Sequence, residues 1–540
     1  MKKLLIAATL LIALPTVRAA NLSWSGTTGD WNLPGNWSTG ILPTSGDSPY
    51  LDNGGTATLP AEVSGSYNWL TLGSQSDRSG TIILSGGMLS GIQTFLGSVS
   101  GGSGSITVSG GSWTNSNNLF VGDSGTGSLF IDGGSVSSGS GYIGESGGGV
   151  GTVSVSSGSW INSGPLNVGD YGTGDLLIDG GSFSCIDATI GVEGSGIGTV
   201  TVSSGSWTGS NSLDVGYAGI GSLLVTGGSI SNDYAVIGNY AGGSGSVTVS
   251  GGSWINSGPL DVGYDGTGSL LINGGSVSNS SAKLGLSSGS NGTVTVSSGS
   301  WINSGSLDVA VNGAGTLLIN GGSVSSASAT IGYSGGSGAV TISNGSWTNS
   351  GSLIIGGYGS GSLLIDGGSV SSAQAYIGEF GGNSGTVTIS RGSWINSGNL
   401  TVGFYSSLNT LTIKSGGLVE IGDSLGETIA FSSGGGSGNY TLLDGGYLAL
   451  FGDQTAEVAG LIAAGDFKTW DGTSWVVSTK ADDFSLAYYT TDAAAKSLTG
   501  YDDLGGYTIL TTPVPEPGTW LLFSLGLGGT FLFTRRKRHL

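Results

Sequence analysis

The sequence predicts an all-β protein built as a parallel β-helix, or β-solenoid, of about 23–24 residues per coil. Tryptophans recur every 46 or 47 residues, and smaller apolar residues stand midway between them in the same Gly-Ser-X context. Gly accounts for 110 of the 540 residues while 37% are hydrophobic, a composition typical of many short strands joined by tight turns. Such self-similarity at a fixed period indicates stacked structural units. The tryptophans are Trp113, Trp160, Trp207, Trp254, Trp301, Trp347 and Trp394, and the midway residues are Val136, Phe183, Ile230, Val277, Val324 and Val370.

One repeat shows how a coil is expected to form. Residues 151–156 alternate apolar and polar side chains, which predicts a half-buried strand with Val153 and Val155 pointing inward. Residues 158–163 and 165–169 predict a second and a third short strand after Gly-containing turns. Three short strands in about 23 residues correspond to one coil of a parallel β-helix.

The orientation of the recurrent tryptophans decides between two functions. Trp160 shares one strand face with Asn162, and its counterparts one coil away are Val, Phe or Ile, which favours an inward side chain. In the alternative, all seven tryptophans point outward at every second coil, about 9.6 Å apart, and stack on alternate sugars of a glycan. The asparagines two positions after Trp are expected to satisfy local turns, because at every second coil they are too far apart to bond directly. They are Asn115, Asn162, Asn256, Asn303, Asn349 and Asn396.

A row of apolar residues is expected on the outside of the coils, between Thr or Ser on the intervening coils. Such a row either packs beneath a turn or serves lateral association and partner binding. Its members are Phe130, Leu177, Leu224, Leu271, Leu318 and Leu364.

The N-terminus has the three parts of a secretory signal peptide, assigned to residues 1–20. Lys2 and Lys3 supply positive charge, residues 4–14 are apolar, and small residues allow cleavage after Ala19 or Ala20. The sequence therefore predicts export.

Between the two ends, the sequence divides into an array with a cap on either side. Residues 21–65 are predicted as an N-terminal cap, residues 66–425 as the β-helix array and residues 426–512 as a C-terminal β-rich cap. The N-terminal cap contains three tryptophans, and carbohydrate contact is the alternative to packing for them. They are Trp24, Trp31 and Trp37.

Residues 513–540 form a three-part tail. Pro515, Glu516 and Pro517 precede an uncharged stretch, residues 518–534, at the short limit for spanning a bilayer. A basic cluster follows: Arg535, Arg536, Lys537 and Arg538. This order resembles the PEP-CTERM sorting signal of Gram-negative bacteria. The resemblance implies recognition by an exosortase, a transient transmembrane sorting helix, and display at the cell surface or outside the cell after processing.

The repeats themselves, as in the run from Gly149 to Trp160, resemble the strand repeats of autotransporter passengers. That resemblance implies only the fold and a location in the cell envelope. Because the chain ends in the sorting tail, self-transport through an outer membrane is not implied.

Charge and residue content exclude several classes of chemistry. Seven basic and 34 acidic residues between the terminal basic segments make the body strongly anionic, at −27, which excludes nucleic acid as a partner. The single cysteine, Cys185, excludes an internal disulfide and is expected as a small core residue. The one histidine, His539, lies in the tail, so no Ser-His-Asp site is expected. We predict no catalytic, cofactor-binding or metal-binding residues, no cofactor and no enzyme activity.

Together these observations favour an exported structural or adhesive protein of the surface or extracellular matrix. The alternative is an extracellular glycan-binding module that uses the recurrent tryptophans. Expected partners are the exosortase, the membrane before processing, and either extracellular polysaccharide or further copies of the chain.

Overall fold

The computed structural model describes residues 21–512, apart from residues 381–383, 405–407, 425, 432–437 and 471–473. The predicted signal peptide, its cleavage residues and the whole sorting tail lie outside the described residues. The chain divides into two compact units. Unit 1 comprises residues 1–247 and 252–255, and unit 2 comprises residues 248–251 and 256–540.

The predicted fold class is confirmed: the protein is an all-β parallel β-solenoid with about 18 turns in the described residues and few helices. The first strands are β1 Asn21–Ser23, β2 Thr28–Asp30, β3 Ser48–Leu51, β4 Thr56–Leu59, β5 Ser64–Ser66, β6 Trp69–Leu72, β7 Ser79–Gly91, β8 Gln93–Leu96, β9 Ser103–Asn115, β10 Asn118–Val121, β11 Thr126–Ser138, β12 Ser140–Ile143, β13 Val150–Asn162, β14 Leu166–Val168, β15 Thr173–Cys185, β16 Ala188–Ile190, β17 Ile197–Gly209, β18 Ser212–Val215, β19 Ile220–Val225, β20 Ser229–Asn232, β21 Tyr234–Ile237, β22 Ser244–Val249 and β23 Ser253–Asn256. The remaining strands are β24 Leu260–Val262, β25 Thr267–Asn279, β26 Ala282–Leu284, β27 Asn291–Asn303, β28 Ser306–Val309, β29 Ala314–Ser326, β30 Ser328–Ile331, β31 Ser337–Asn349, β32 Ser352–Ile355, β33 Ser360–Ser372, β34 Gln374–Ile377, β35 Gly385–Asn396, β36 Leu400–Val402, β37 Thr410–Lys414, β38 Gly417–Ile421, β39 Ile429–Phe431, β40 Tyr440–Asp444, β41 Tyr447–Phe451, β42 Phe467–Trp470, β43 Trp475–Val477, β44 Ser485–Tyr489 and β45 Tyr507–Thr511. Two α-helices, α1 Thr455–Ala464 and α2 Asp492–Thr499, and two short 3₁₀ turns, Pro34–Asn36 and Ala481–Asp483, complete the secondary structure of the described residues.

In unit 1, the turns from β7 to β18 each contribute one long strand and one short strand, and each stacks in parallel on its equivalents. Further on, the long strand is split into β19 and β20, which both pair with β17. The long strand β13 pairs with β11 and β15, while the short strand β12 pairs with β10 and β14. Trp160 faces Val136 on one side and Phe183 on the other, so successive turns are offset by 24 and 23 residues. The predicted period is therefore confirmed.

The long strand replaces two of the three predicted short strands. Residues 151–156 and 158–162 both lie in β13, with a bulge where the pairing register with β11 shifts after Ile131. Gly158 has a φ of +76°, which bends the strand without ending it. The Gly-containing turn predicted between residues 156 and 158 is therefore a corner within one strand, while the one before residue 165 is a true connection.

Unit 2 contains the same arrangement. The long strand β27 pairs with β25 and β29, and the short strand β28 pairs with β26 and β30. The register shift recurs between β25 and β27 after Ile272.

The core follows the predicted alternation. Val153 and Val155 from the first half of the long strand, Trp160 from its second half, and Leu166 and Val168 from the short strand are all fully buried. Parallel sheets need both faces covered, and here the inner faces cover one another within each turn.

The solenoid begins earlier than predicted. In the range predicted as an N-terminal cap, β1 already pairs in parallel with β3, and β2 with β4. The first turns are atypical because three buried tryptophans fill them, with ring centroids 5.1 Å apart for Trp24 and Trp37 and 4.8 Å apart for Trp31 and Trp37. Burial contradicts the alternative that these indoles contact carbohydrate.

The last turns also extend beyond the predicted boundary, since β40 and β41 pair in parallel with β37 and β38. The edge of β41 is then covered by β45, which runs antiparallel and also pairs with β44. A terminal antiparallel strand ends a stack that would otherwise expose an unpaired edge. The strands after β41 thus cover its edge, and α1 and α2 are helices that the sequence did not predict there.

Candidate interaction surface

The seven recurrent tryptophans lie in the interior, with 0–2% of each side chain exposed. The indole N–H of Trp301 donates to Asn279 Oδ1 at 2.8 Å, and that of Trp254 donates to Asn232 Oδ1 at 2.8 Å. Trp160 and Trp394 donate to the Oγ of Ser138 and Ser372 at 3.0 and 3.1 Å. The inward orientation is therefore correct. The alternative that these seven residues contact a glycan is wrong, because a ligand at the surface cannot reach them.

The asparagines that follow Trp belong to a buried polar ladder, which corrects the expectation of local bonding alone. The intervening turns place Ser, Asn or Cys at the same position, and the Ser or Asn side chain bonds the asparagine of the next turn in four pairs: Ser138–Asn162, Asn279–Asn303, Ser326–Asn349 and Ser372–Asn396. Ser372 Oγ donates to Asn396 Oδ1 at 2.8 Å, and Ser138 Oγ donates to Asn162 in the same way. One turn bond is also present, from Asn396 Nδ2 to the Gly398 carbonyl at 2.6 Å.

Cys185 occupies the position of this ladder that Ser138 holds one repeat earlier. Its side chain is buried, and burial raises the pKa of the thiol to about 12. The thiol is therefore protonated at neutral pH, in agreement with the predicted role as a small core residue.

The predicted outward apolar row is present. Phe130, Leu177 and Leu364 are exposed, with 43%, 38% and 37% of the side chain accessible, while Leu224, Leu271 and Leu318 are half-buried. Within each unit the row alternates with smaller residues on adjacent turns, for example Leu177 beside Thr201 and Leu318 beside Thr341. Phe130, Leu177 and Leu364 stand on the strand and are open to solvent, so at these three positions the row does not pack beneath a turn.

Aromatic side chains are exposed on the connections that follow the short strands. In unit 1, Tyr171 and Tyr240 are 52% and 49% exposed, and in unit 2, Tyr333 and Tyr358 are 43% and 52% exposed. The sequence analysis did not single them out, because they recur at irregular turns instead of at every second one.

Three carboxyl groups occupy equivalent positions on successive turns of unit 1: Asp123, Glu145 and Asp170. Each directly follows a turn glycine, and backbone bonds connect the turns, for example from Asp170 N to the Gly144 carbonyl at 2.9 Å. Burial raises the pKa of all three groups, and the charges of Asp123 and Asp170 further raise the pKa of Glu145 to about 7. Aligning half-repeats on these glycines would have revealed the cluster, whereas the 47-residue repeat shows only Asp123 and Asp170.

This carboxyl cluster makes stability depend on pH. The pKa of Glu145 in the folded protein, about 7, lies above its usual value of 4.5, so the folded state binds more protons between these values. Stability is therefore expected to fall as the pH rises from about 4.5 to 7. We expect Glu145→Gln to raise the melting temperature at pH 8. The melting temperature of this variant should also fall less between pH 4.5 and 7 than that of the unchanged protein.

Thermal unfolding of the released protein at several pH values measures this effect. Asp175→Asn removes an exposed carboxylate of the same unit and serves as the control. A pH profile that is the same for Glu145→Gln and for the unchanged protein would contradict the role given to Glu145.

Within the described ranges there is no group of three or more His, Cys, Asp or Glu side chains that could hold a metal ion. No helix within those ranges has the length and apolar content that crossing a membrane requires. The predicted sorting helix, residues 518–534, lies outside them.

The fold and its surfaces define a repetitive β-solenoid without a formed metal centre in the described residues. Its destination follows from the tail, because residues 513–538 match the PEP-CTERM protein-sorting motif. The chain is thus an exported protein that is membrane-anchored until an exosortase cleaves it, and that then reaches the cell surface or extracellular space. The matched residues include Pro515, Glu516 and Pro517 and the basic cluster predicted for sorting. No curated protein and no solved structure matches the chain, so no relative supports the similarity of the repeats to autotransporter passengers.

Proposed function

We propose that the released protein is a non-catalytic structural or adhesive component of the cell surface or extracellular matrix. The observation that carries the proposal is the uninterrupted repeat. From β8 to β19 in unit 1, and from β24 to β33 in unit 2, no connection between strands is longer than six residues. Enzymes usually place their catalytic groups on longer loops held by a rigid scaffold.

The outward surface supports the same proposal. It repeats Ser, Thr and partly exposed Leu from turn to turn, so it offers many equivalent weak contacts instead of one distinctive site. Equivalent sites within one unit raise the effective concentration of one another, so several weak contacts together give strong binding. This property suits a component that holds a matrix together.

The test compares wild-type cells with cells that lack the protein. We expect the released protein to fractionate with the extracellular matrix, and its loss to weaken cell cohesion. Incubation of the purified protein with matrix polysaccharide should leave the polymer length and the number of reducing ends unchanged. Polymer shortening would overturn the non-catalytic part, and recovery of the protein only from free medium, with unchanged cohesion, would overturn the structural part.

Glycan binding is a second candidate, now through other residues than the recurrent tryptophans. The exposed tyrosines on the turns, Tyr171, Tyr240, Tyr333 and Tyr358, present aromatic rings to solvent. Co-sedimentation with extracellular polysaccharide tests it. Saturable binding that is lost on Tyr→Ala substitution at these positions supports glycan binding, and binding that persists in that variant contradicts it.

A further inference from the structure

We propose that the outer face of the long strands in unit 2 binds a second copy of the chain, displaced along the solenoid by one turn. The inference rests on the proposed matrix function and gives it a specific contact. We define the Leu/Thr face by one outward position on six neighbouring strands, β25, β27, β29, β31, β33 and β35. Its residues are Leu271, Thr295, Leu318, Thr341, Leu364 and Thr388.

The first argument is shape. Leu271 pairs in register with Thr295, which pairs with Leu318, and the alternation continues through Thr341 to Leu364. Adjacent turns lie about 4.8 Å apart, so leucines recur about every 9.6 Å with a smaller residue between them. A copy that runs in the same direction and is displaced by one turn places leucine over threonine on the five strands that overlap. Without displacement, such a parallel copy would set leucine against leucine, and the threonine positions would leave gaps.

The second argument is charge. The body carries a net charge of −27, so two copies repel one another over most of their surface. In the six strands of the Leu/Thr face, only Asp366 and Arg391 are charged, and they form an ion pair at 2.8 Å. Other charges of this region lie off these strands: Asp261, Lys283 and Asp308 on the short strands β24, β26 and β28, and Asp265 and Glu379 on connections. The face is therefore a surface on which two acidic copies can approach closely.

Unit 1 lacks this neutrality. Its equivalent long strand β15 carries the exposed residues Asp175 and Asp179, and β11 carries Asp132. We therefore assign the contact to unit 2.

The third argument is area. Displacement by one turn leaves five of the six strands in contact, so strands about 4.8 Å apart with outward side chains spanning about 20 Å give roughly 480 Å² per copy. Both copies together then bury about 960 Å², which is in the range of weak, transient contacts. The association is thus expected to be reversible and dependent on concentration, as suits subunits that assemble only where the protein accumulates.

Sedimentation velocity of the released protein over an approximately hundredfold concentration range tests the proposal. We expect a monomer that converts to larger species as the concentration rises. The triple variant Leu271→Thr, Leu318→Thr, Leu364→Thr should associate at least about tenfold more weakly than the unchanged protein. It should fold normally, because threonine already occupies this position on the intervening turns. The matched control, Tyr240→Thr, Tyr333→Thr, Tyr358→Thr, removes exposed apolar surface elsewhere and should leave association unchanged.

A second variant tests the displacement by one turn. Thr295→Leu with Thr341→Leu adds apolar area but fills the positions that receive the partner's leucines, so we expect weaker association. Stronger association would overturn the displaced arrangement, and a wild-type protein that stays monomeric throughout would overturn the contact itself. Neither result depends on fractionation with the matrix, which tests the proposed function separately. If the leucine variant loses association but still enters the matrix, the contact is supported and matrix retention has another cause.

Discussion

Replacing Trp301 by alanine is expected to destabilise unit 2 by about 3–5 kcal/mol, the range for truncating a large buried aromatic side chain. Trp301 is fully buried between Val277 and Val324 of the adjacent turns. Those small neighbours cannot extend into the volume that the indole leaves. The substitution also removes the indole N–H, which donates to Asn279 Oδ1 at 2.8 Å. This buried oxygen then loses a hydrogen bond, which adds to the destabilisation.

Denaturant unfolding, combined with hydrogen exchange on β25, β27 and β29, measures the loss and locates it. Solenoid turns contact mainly their neighbours, so the lost protection should centre on these strands. Trp301→Phe is the control, because Phe183 occupies the interior beside Trp160 with ring centroids 5.0 Å apart. The Phe variant should lose clearly less stability than the Ala variant. A loss below about 1 kcal/mol for Trp301→Ala would contradict the packing described for this position.

Replacing Gly151 by alanine is expected to destabilise unit 1 by about 1–3 kcal/mol, although only a methyl group is added. A Cβ at this position would lie 2.0 Å from the Val121 carbonyl oxygen and 2.7 Å from Gly144 N. Val121 belongs to the preceding turn and Gly144 to the connection that leads into β13. Both contacts are with backbone atoms, so the strand itself would have to move. The paired positions on the neighbouring turns, Gly127 and Gly174, are glycines as well.

Thermal unfolding compares this variant with Gly147→Ala, four residues earlier on an exposed connection. A Cβ on Gly147 meets no atom within 4 Å, and we expect that variant to unfold as the unchanged protein does. Equal melting temperatures for the two variants would show that the close backbone approach at Gly151 does not affect stability.

The architecture could be predicted because one short pattern is repeated many times. Alternation within residues 151–156 places Val153 and Val155 inside, and the equivalence of Trp160 with Val, Phe or Ile one turn away places the indole inside as well. A single amphipathic strand permits several folds, but a period of 23–24 residues in which every turn repeats the same inward set permits few.

The details that escaped prediction depend on atoms from neighbouring turns. Gly158 bends β13 without ending it, since the backbone on both sides continues to pair with β11. The ladder through Asn162 depends on Ser138, which belongs to the half-repeat without Trp. At the C-terminal cap, the helix α2 contributes Ala495 to a small apolar core with Leu418 and Ile509, which are distant in sequence.

The interaction surface was predicted in part. The outward row was anticipated from the strand alternation, but neither its partner nor the neutrality of the surrounding strands follows from one repeat. Glu145 was missed because it stands in the half-repeat between Asp123 and Asp170. Its raised pKa results from burial and from those two neighbours, which are adjacent only after the chain has coiled.

The alternation of large and small residues in the core also limits how the length of the protein can change during evolution. Val136, Trp160, Phe183 and Trp207 follow one another along the stack, so a large and a smaller residue share each pair of turns. Loss of one turn by recombination between repeats would set two indoles side by side in space that now holds an indole and a smaller side chain. It would also interrupt the Ser–Asn order of the polar ladder. Loss or gain of two turns, about 47 residues, restores both patterns. Natural variants are therefore expected to differ in length by pairs of turns, with the coding sequence duplicated or deleted in units of the double repeat.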